Sequence, residues 1–213
     1  MIVIYTGPSL SREKAKAILP DADYRDPIVR GDLDHLPKGT KVVGIIDGVF
    51  YSETAVAHKE IIAVMKKGIK VYGSSSMGAL RASELTEFGM IGVGRVYECY
   101  YSGRIVKDDE VAVTFNPVTG EQIAEPLVNV RYQLKAAEND GILTTKERQD
   151  LIEMAGRLFY PERTYPFIVG RAVEADILSR EKAAGLLEYI RDKPLSLKAE
   201  DAVLLLNKIK AIA

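Results

Sequence analysis

The sequence predicts an α/β fold: a mostly parallel sheet with helices on both faces, followed by an all-helical C-terminal region. Short apolar runs at residues 2–5, 42–46 and 69–72 alternate with capped, helix-forming stretches. That alternation belongs to parallel strands joined by right-handed crossovers. The run Val42-Val43-Gly44-Ile45-Ile46 is almost continuously apolar, as a strand buried on both faces requires. After residue 121 only helical patterns remain. The expected organisation is therefore an α/β domain over 1–120 and a helical region over 121–213.

Residues 2–5 end in Thr6-Gly7-Pro8-Ser9. Ser11 sits at a helix N-cap position, and Pro20 closes the helix that follows. A second strand is expected over 24–29, then the polar Arg30-Gly31-Asp32. The third strand, 42–46, ends in Asp47-Gly48-Val49-Phe50. Ser52 is read as the cap of a helix whose apolar face is Ala57, Ile61, Val64 and Met65, with Gly68 as its C-terminal stop. Strand 69–72 runs into Gly73-Ser74-Ser75-Ser76-Met77-Gly78 and a helix over 79–88. A tyrosine-rich helix (Val96, Tyr97, Tyr100, Tyr101), a strand over 111–115 and a turn over 116–120 complete the first half. Helices are expected over 127–138, 146–159, 167–178, 179–191 and 197–212, the second opened by the capping box Thr144-Thr145-Lys146-Glu147.

Composition excludes several classes. Of 213 residues, 47% are hydrophobic and 28% charged, ordinary for a globular protein. The net charge of -1 offers no bulk attraction for nucleic acid or an acidic membrane. No apolar run approaches the ~20 residues of a membrane span. The opening Met-Ile-Val-Ile-Tyr reads as a strand, not a leader. One cysteine, Cys99, rules out internal disulfides and a cysteine-built zinc site. Neither the P-loop nor the dinucleotide glycine pattern occurs, so no cofactor is expected. A cytoplasmic location is expected.

In an open parallel sheet, ligands bind beyond the carboxyl ends of the strands. Four loops qualify there. They supply Thr6, Gly7 and Ser9; Arg30 and Asp32; Asp47, Gly48 and Phe50; and Ser74 through Gly78. Ser74-Ser75-Ser76-Met77-Gly78 fits small-x-nucleophile-x-small, the steric pattern of a nucleophile elbow. Such a turn puts the Ser76 hydroxyl at a helix N-terminus, where the Met77 N–H can hold an oxyanion. A capping cluster or a phosphate-binding turn would read the same way. A serine nucleophile needs a base. Of the two histidines, His35 is expected at the far edge of the sheet and His58 at the same edge as Ser76. His58 reads equally as packing beside Ile61, Ile62 and Met65. Glu60 is a second base or an orienting group, or a solvated helix residue. Arg81 can bind a carboxylate such as a partner's C-terminus, or pair with Glu84 or Glu87. Asp47 can orient a catalytic group or bond its own turn. Asp108-Asp109-Glu110 reads as a solvated acidic turn, and Cys99 as packing.

At these residues the sequence resembles the TfuA-like family. The resembling stretches are Tyr5 to Leu10, Arg30-Gly31-Asp32-Leu33, Ile46 to Phe50, His58-Lys59-Glu60-Ile61, Gly73 to Ala82, Phe88-Gly89-Met90 and Asp108 to Ala112. The run Ser75 to Ala82 is the most specific. The resemblance implies a Rossmann-like or flavodoxin-like core and a role in peptide-backbone thioamidation beside a YcaO enzyme, which uses ATP to activate the amide. It implies sulfide delivery from a thiocarboxylated, ubiquitin-like sulfur carrier of the ThiS type. In methanogens such a pair is linked to thioglycine in methyl-coenzyme M reductase, and in bacteria to ribosomal peptide natural products. Thiocarboxylate hydrolysis by a serine nucleophile and non-enzymatic docking of carrier and YcaO both remain open. The helical region is expected to carry a surface for YcaO or for homo-oligomer formation.

Overall fold

The computed structural model describes residues 1–50, 54–114 and 122–212. The chain forms two compact units, Met1–Asp108 with Leu197–Ala213, and Asp109–Ser196. Five strands, β1 (Ile2–Tyr5), β2 (Ala22–Arg25), β3 (Val42–Ile45), β4 (Lys70–Ser74) and β5 (Ile91–Val93), form one all-parallel sheet in the order β2-β1-β3-β4-β5. The helices are α1 (Arg12–Ile18), α2 (His58–Lys66), α3 (Met77–Leu85), α4 (Arg95–Tyr101), α5 (Leu127–Asn139), α6 (Thr145–Arg157), α7 (Tyr165–Glu174), α8 (Arg180–Asp192) and α9 (Leu197–Lys210).

In the first unit, β3 is central, as its apolar run predicts. It pairs Ile2 with Val42 on one side and Val42 with Lys70 on the other. Helices cover both faces. α2 and α3 pack on one. On the other, α1 and α9 bury Ala15, Leu19, Leu205, Leu206 and Ile209 against Ile4, Val42, Ile46 and Tyr72. Gly44 lets α9 come close, since a Cβ there would lie 2.6 Å from Ile4 Cδ1 and 3.0 Å from Ile209 Cδ1. The Tyr24 hydroxyl of β2 donates to Ala15 O and Leu19 O, both at 2.8 Å, closing α1 onto the sheet.

Several elements differ from expectation. β5 falls on Ile91–Val93, where no element was expected. β2 starts and stops early, because Pro27 has no N–H for a ladder; Ile28 makes only an isolated parallel bridge with Gly48. Residues 111–114 form no strand. Val111 and Ala112 are buried by other means, behind a 3₁₀ turn at Asp108–Glu110. The expected Ser52 cap and the 116–120 turn lie outside the described residues; the N-cap of α2 is Ala57. The last helix also departs from the expected 1–120 and 121–213 division. Its buried stripe of Leu197, Asp201, Ala202, Leu205, Leu206 and Ile209 belongs to the sheet unit.

The second unit packs α5 to α8 around Leu134, Leu151, Ala155, Ile168, Ala172 and Leu186. The capping box forms as expected: Thr144 Oγ1 accepts the Glu147 N–H at 3.2 Å, and the Thr144 N–H donates to Glu147 Oε2 at 2.7 Å. Of the acidic run only Asp108 is exposed; Asp109 and Glu110 are held by arginines. Arg163, 0% exposed, donates to Ala155 O, Asp109 O and Leu158 O and pairs with Asp109 at 3.2 Å. Glu110 takes a bidentate pair from Arg131 at 2.8 and 3.0 Å. No helix among the described residues is long and apolar enough to cross a membrane.

One pH response follows from this unit. Hydrogen bonds from Lys135 and Thr145, with Arg148 alongside, hold the Glu138 carboxyl down from 4.5 to about 2. A depressed carboxyl contributes stability that is present above the unfolded value and lost as pH falls through the folded one. Thermal unfolding should therefore shift down between pH 4.5 and about 2. Glu138→Gln should flatten that slope; an unchanged slope would show that Glu138 does not drive it.

Candidate functional site

The strand order reverses between β1 and β3, which makes the crevice at their carboxyl ends the natural ligand position. Asp47 closes this crevice from within. It is 3% exposed, and its carboxylate accepts the N–H groups of Gly7 (2.8 Å) and Ser9 (3.1 Å) and the Ser9 hydroxyl (2.6 Å). Sequence reading offered a turn-bonding or an orienting role. The carboxylate instead shapes the neighbouring loop, where Thr6 Oγ1 also donates to Leu10 O at 2.8 Å. Asp47→Ala should cost about 3 kcal/mol, because buried donors would lose a charged acceptor. Urea unfolding measures this, and a loss below about 1 kcal/mol would mean water replaces the carboxylate.

The loop after β2 is drawn into the same cluster. A Cβ at Gly7 would lie 2.5 Å from Pro27 Cγ, and one at Gly48 would lie 2.7 Å from Met77 Cγ. Asp32 Oδ2 accepts the Val29 N–H at 2.9 Å. Arg30 is exposed; its N–H donates to Thr54 O at 2.8 Å and its Nε to Ala55 O at 3.4 Å. Glu60 accepts the Gly31 N–H at 2.8 Å. It is therefore a structural tie between this loop and α2, not a solvated residue. Phe50 is half-buried.

Strand β4 passes through the three serines into α3. Ser74 is fully buried and donates to Asp201 O at 2.8 Å. Ser75 adopts φ 68, one of two non-glycine residues with positive φ among those described. It is 0% exposed, and its Oγ has no hydrogen-bond partner. Ser76 has φ -124, is 2% exposed, and sends its N–H to Ser74 O (2.8 Å) and Ile46 O (3.3 Å). The N–H of Met77, the first residue of α3, has no acceptor among the described residues. The start of α3 lies directly on backbone: a Cβ at Gly78 would sit 1.8 Å from Ile45 O, and one at Gly73 would sit 2.1 Å from Gly78 O.

A left-handed serine between a parallel strand and a helix is the backbone signature of an elbow. The left-handed residue is Ser75, one residue before Ser76. Gly73 stands two residues before Ser75, but Met77, two residues after it, is not small, so the small-x-nucleophile-x-small pattern does not point to Ser75. His58 is not joined to this turn by a hydrogen bond. It is half-exposed, with Nε2 2.7 Å from Glu84 Oε2. Arg81 pairs with the same oxygen at 2.7 Å and donates through Nε to Val56 O at 3.0 Å. His58, Arg81 and Glu84 thus tie the start of α2 to α3, the ion-pair alternative for Arg81. Among the described residues, no group of three or more His, Cys, Asp and Glu could hold a metal ion.

A family model described as TfuA-like protein matches residues 47–164, just over half of the chain and including the Asp47 loop and the serine turn. No curated protein matches the sequence.

Proposed function

The chain belongs to the TfuA-like family, and from that premise we propose that it acts beside a YcaO enzyme in peptide-backbone thioamidation, releasing sulfide from the thiocarboxylated C-terminus of a ThiS-type carrier. The observation that supports hydrolysis is the left-handed Ser75 at the β4–α3 turn. Non-glycine residues held there cost of order 1–3 kcal/mol and cluster at functional sites. The sequence pattern named Ser76 and His58 as nucleophile and base; the backbone conformation favours Ser75.

The chemistry balances without a histidine. The Ser75 oxygen bonds to the carrier's terminal carbonyl carbon, the C–S bond breaks, and the hydroxyl proton leaves on sulfur as HS⁻. Water then attacks the resulting ester, restoring the serine hydroxyl and leaving a carboxylate and a proton. The Met77 N–H is the oxyanion donor in this reading. The loops that follow β1 to β4 supply the groove for the carrier's tail.

A second reading has its own observation. Ser75 is 0% and Ser76 2% exposed, which suits an adaptor that docks carrier and YcaO without touching the carbonyl. Incubating the purified protein with thiocarboxylated carrier, with and without YcaO, and following free sulfide decides between them. Hydrolysis predicts sulfide and carrier carboxylate in equal amounts. Carrier binding with no sulfide in either condition would establish the adaptor.

A further inference from the structure

The serine turn is held from two sides. Toward β3, the Ser76 N–H reaches Ile46 O and Gly78 lies on Ile45. On the opposite side stands Asp201 of α9, 0% exposed and far away in sequence. Its main-chain oxygen accepts the Ser74 hydroxyl at 2.8 Å. Its carboxylate accepts the N–H groups of Arg95 at 3.0 Å and Val96 at 2.7 Å, so it caps α4 from another helix. Gly94, with φ 93, makes room for it; a Cβ there would be 2.4 Å from the Asp201 carboxyl carbon. Burial pushes this carboxyl above its ordinary range, and the two N–H groups pull it back.

We propose that Asp201 is a positioning residue for the β4–α3 turn, holding Ser75 through the Ser74 bond while its carboxylate fixes the start of α4. The argument is one of determination. A serine at φ 68 lies outside its preferred backbone region, and such a conformation persists only where surrounding contacts over-determine it. Ser74 is the residue immediately before, and its side-chain hydroxyl donates to Asp201 O. Asp201 cannot shift without uncapping α4, so the Ser74 anchor inherits the rigidity of two helices. The catalytic consequence rests on the proposed hydrolysis; the structural part does not.

The test uses the full-length protein with Ser74→Ala, Ser74→Cys and Asp201→Asn, and reads amide hydrogen exchange together with sulfide release. Ser74→Ala should speed exchange at the Ser76 N–H about tenfold, the equivalent of one hydrogen bond. It should lower kcat by a similar factor at unchanged KM, because the groove is untouched. Ser74→Cys, a weaker donor, should recover part of both. Asp201→Asn should speed exchange at Arg95 and Val96 as well as at Ser76, and it keeps the test alive if Ser74→Ala does not fold. Unchanged exchange at Ser76 in the folded variants would overturn the proposal, as would altered exchange with kcat unmoved in a protein that releases sulfide. If the wild-type protein releases none, the hydrolase reading fails while the exchange data still decide whether Asp201 positions the turn.

Discussion

Ser75→Ala is expected to cut sulfide release at least ~100-fold while leaving carrier binding intact, since loss of a nucleophile leaves only the oxyanion donors and binding to act. Ser76→Ala should cost less than about tenfold, because alanine keeps the backbone N–H bonds to Ser74 O and Ile46 O. Stability should move the other way. Ser75 buries a hydroxyl with no partner, and its φ of 68 is one that glycine adopts freely. Ser75→Gly should therefore stabilise the protein by about 1 kcal/mol, combining relief of the hydroxyl and of the backbone. A residue whose removal strengthens the fold is retained for another reason. Full sulfide release by Ser75→Ala would sink the nucleophile assignment, and a Ser75→Gly variant less stable than wild type would remove the strain argument with it.

Gly78→Ala should destabilise the first unit by about 3 kcal/mol or more, at the upper end of overpacking effects. The methyl would lie 1.8 Å from Ile45 O and 2.6 Å from its carbonyl carbon. Both are backbone atoms of the central strand, so no rotamer change can make room. Helix α3 would have to lift, breaking the Gly78 N–H bond to Ile46 O and opening the serine turn. Against a typical total stability of roughly 5–15 kcal/mol, this makes the variant marginal. Gly185 in α8 is the control: nothing lies within 4 Å of an added Cβ, so Gly185→Ala should stabilise by about 0.5–1 kcal/mol through helix propensity. Denaturant unfolding followed by circular dichroism reads both. A Gly78→Ala protein as stable as wild type would mean that α3 does not rest on β3 as described.

The sheet was legible because its signals are local. The continuous apolar run at β3 and the caps at Ser11 and Thr144 report burial and helix starts from adjacent residues. β5 escaped because Ile91-Gly92-Val93 is too short to show a period, and its strand character comes from pairing Tyr72 with Ile91. The apparent strand misled at 111–114 because Val111 and Ala112 are buried without pairing to a strand, and buried apolar residues read as strand residues. The position of the four loops and of Asp47 after strands was legible, since it follows from the strand order alone. The Arg81–Glu84 pair could be read from its i,i+3 spacing; the roles of Arg30 and Glu60 as ties could not, since their partners Ala55 O and Gly31 N–H are set by loop conformation. Asp201 carried no signal at all, because a cap supplied from a helix 105 residues away leaves no mark near the helix it caps.

The placement of α9 has a consequence for synthesis. All five strands precede residue 94, yet Leu205, Leu206 and Ile209, which cover one sheet face, leave the ribosome only after the whole of Asp109–Ser196. At ~5–20 residues per second, that face waits on the order of 5–20 s for its cover. Ile4, Val42, Ile46 and Tyr72 have only the cover of α1 during that interval, so the nascent chain is most prone to aggregate after its sheet has formed and before α9 arrives. The helical unit, complete by then, can fold on its own schedule, and the strands cannot finish theirs until α9 has emerged.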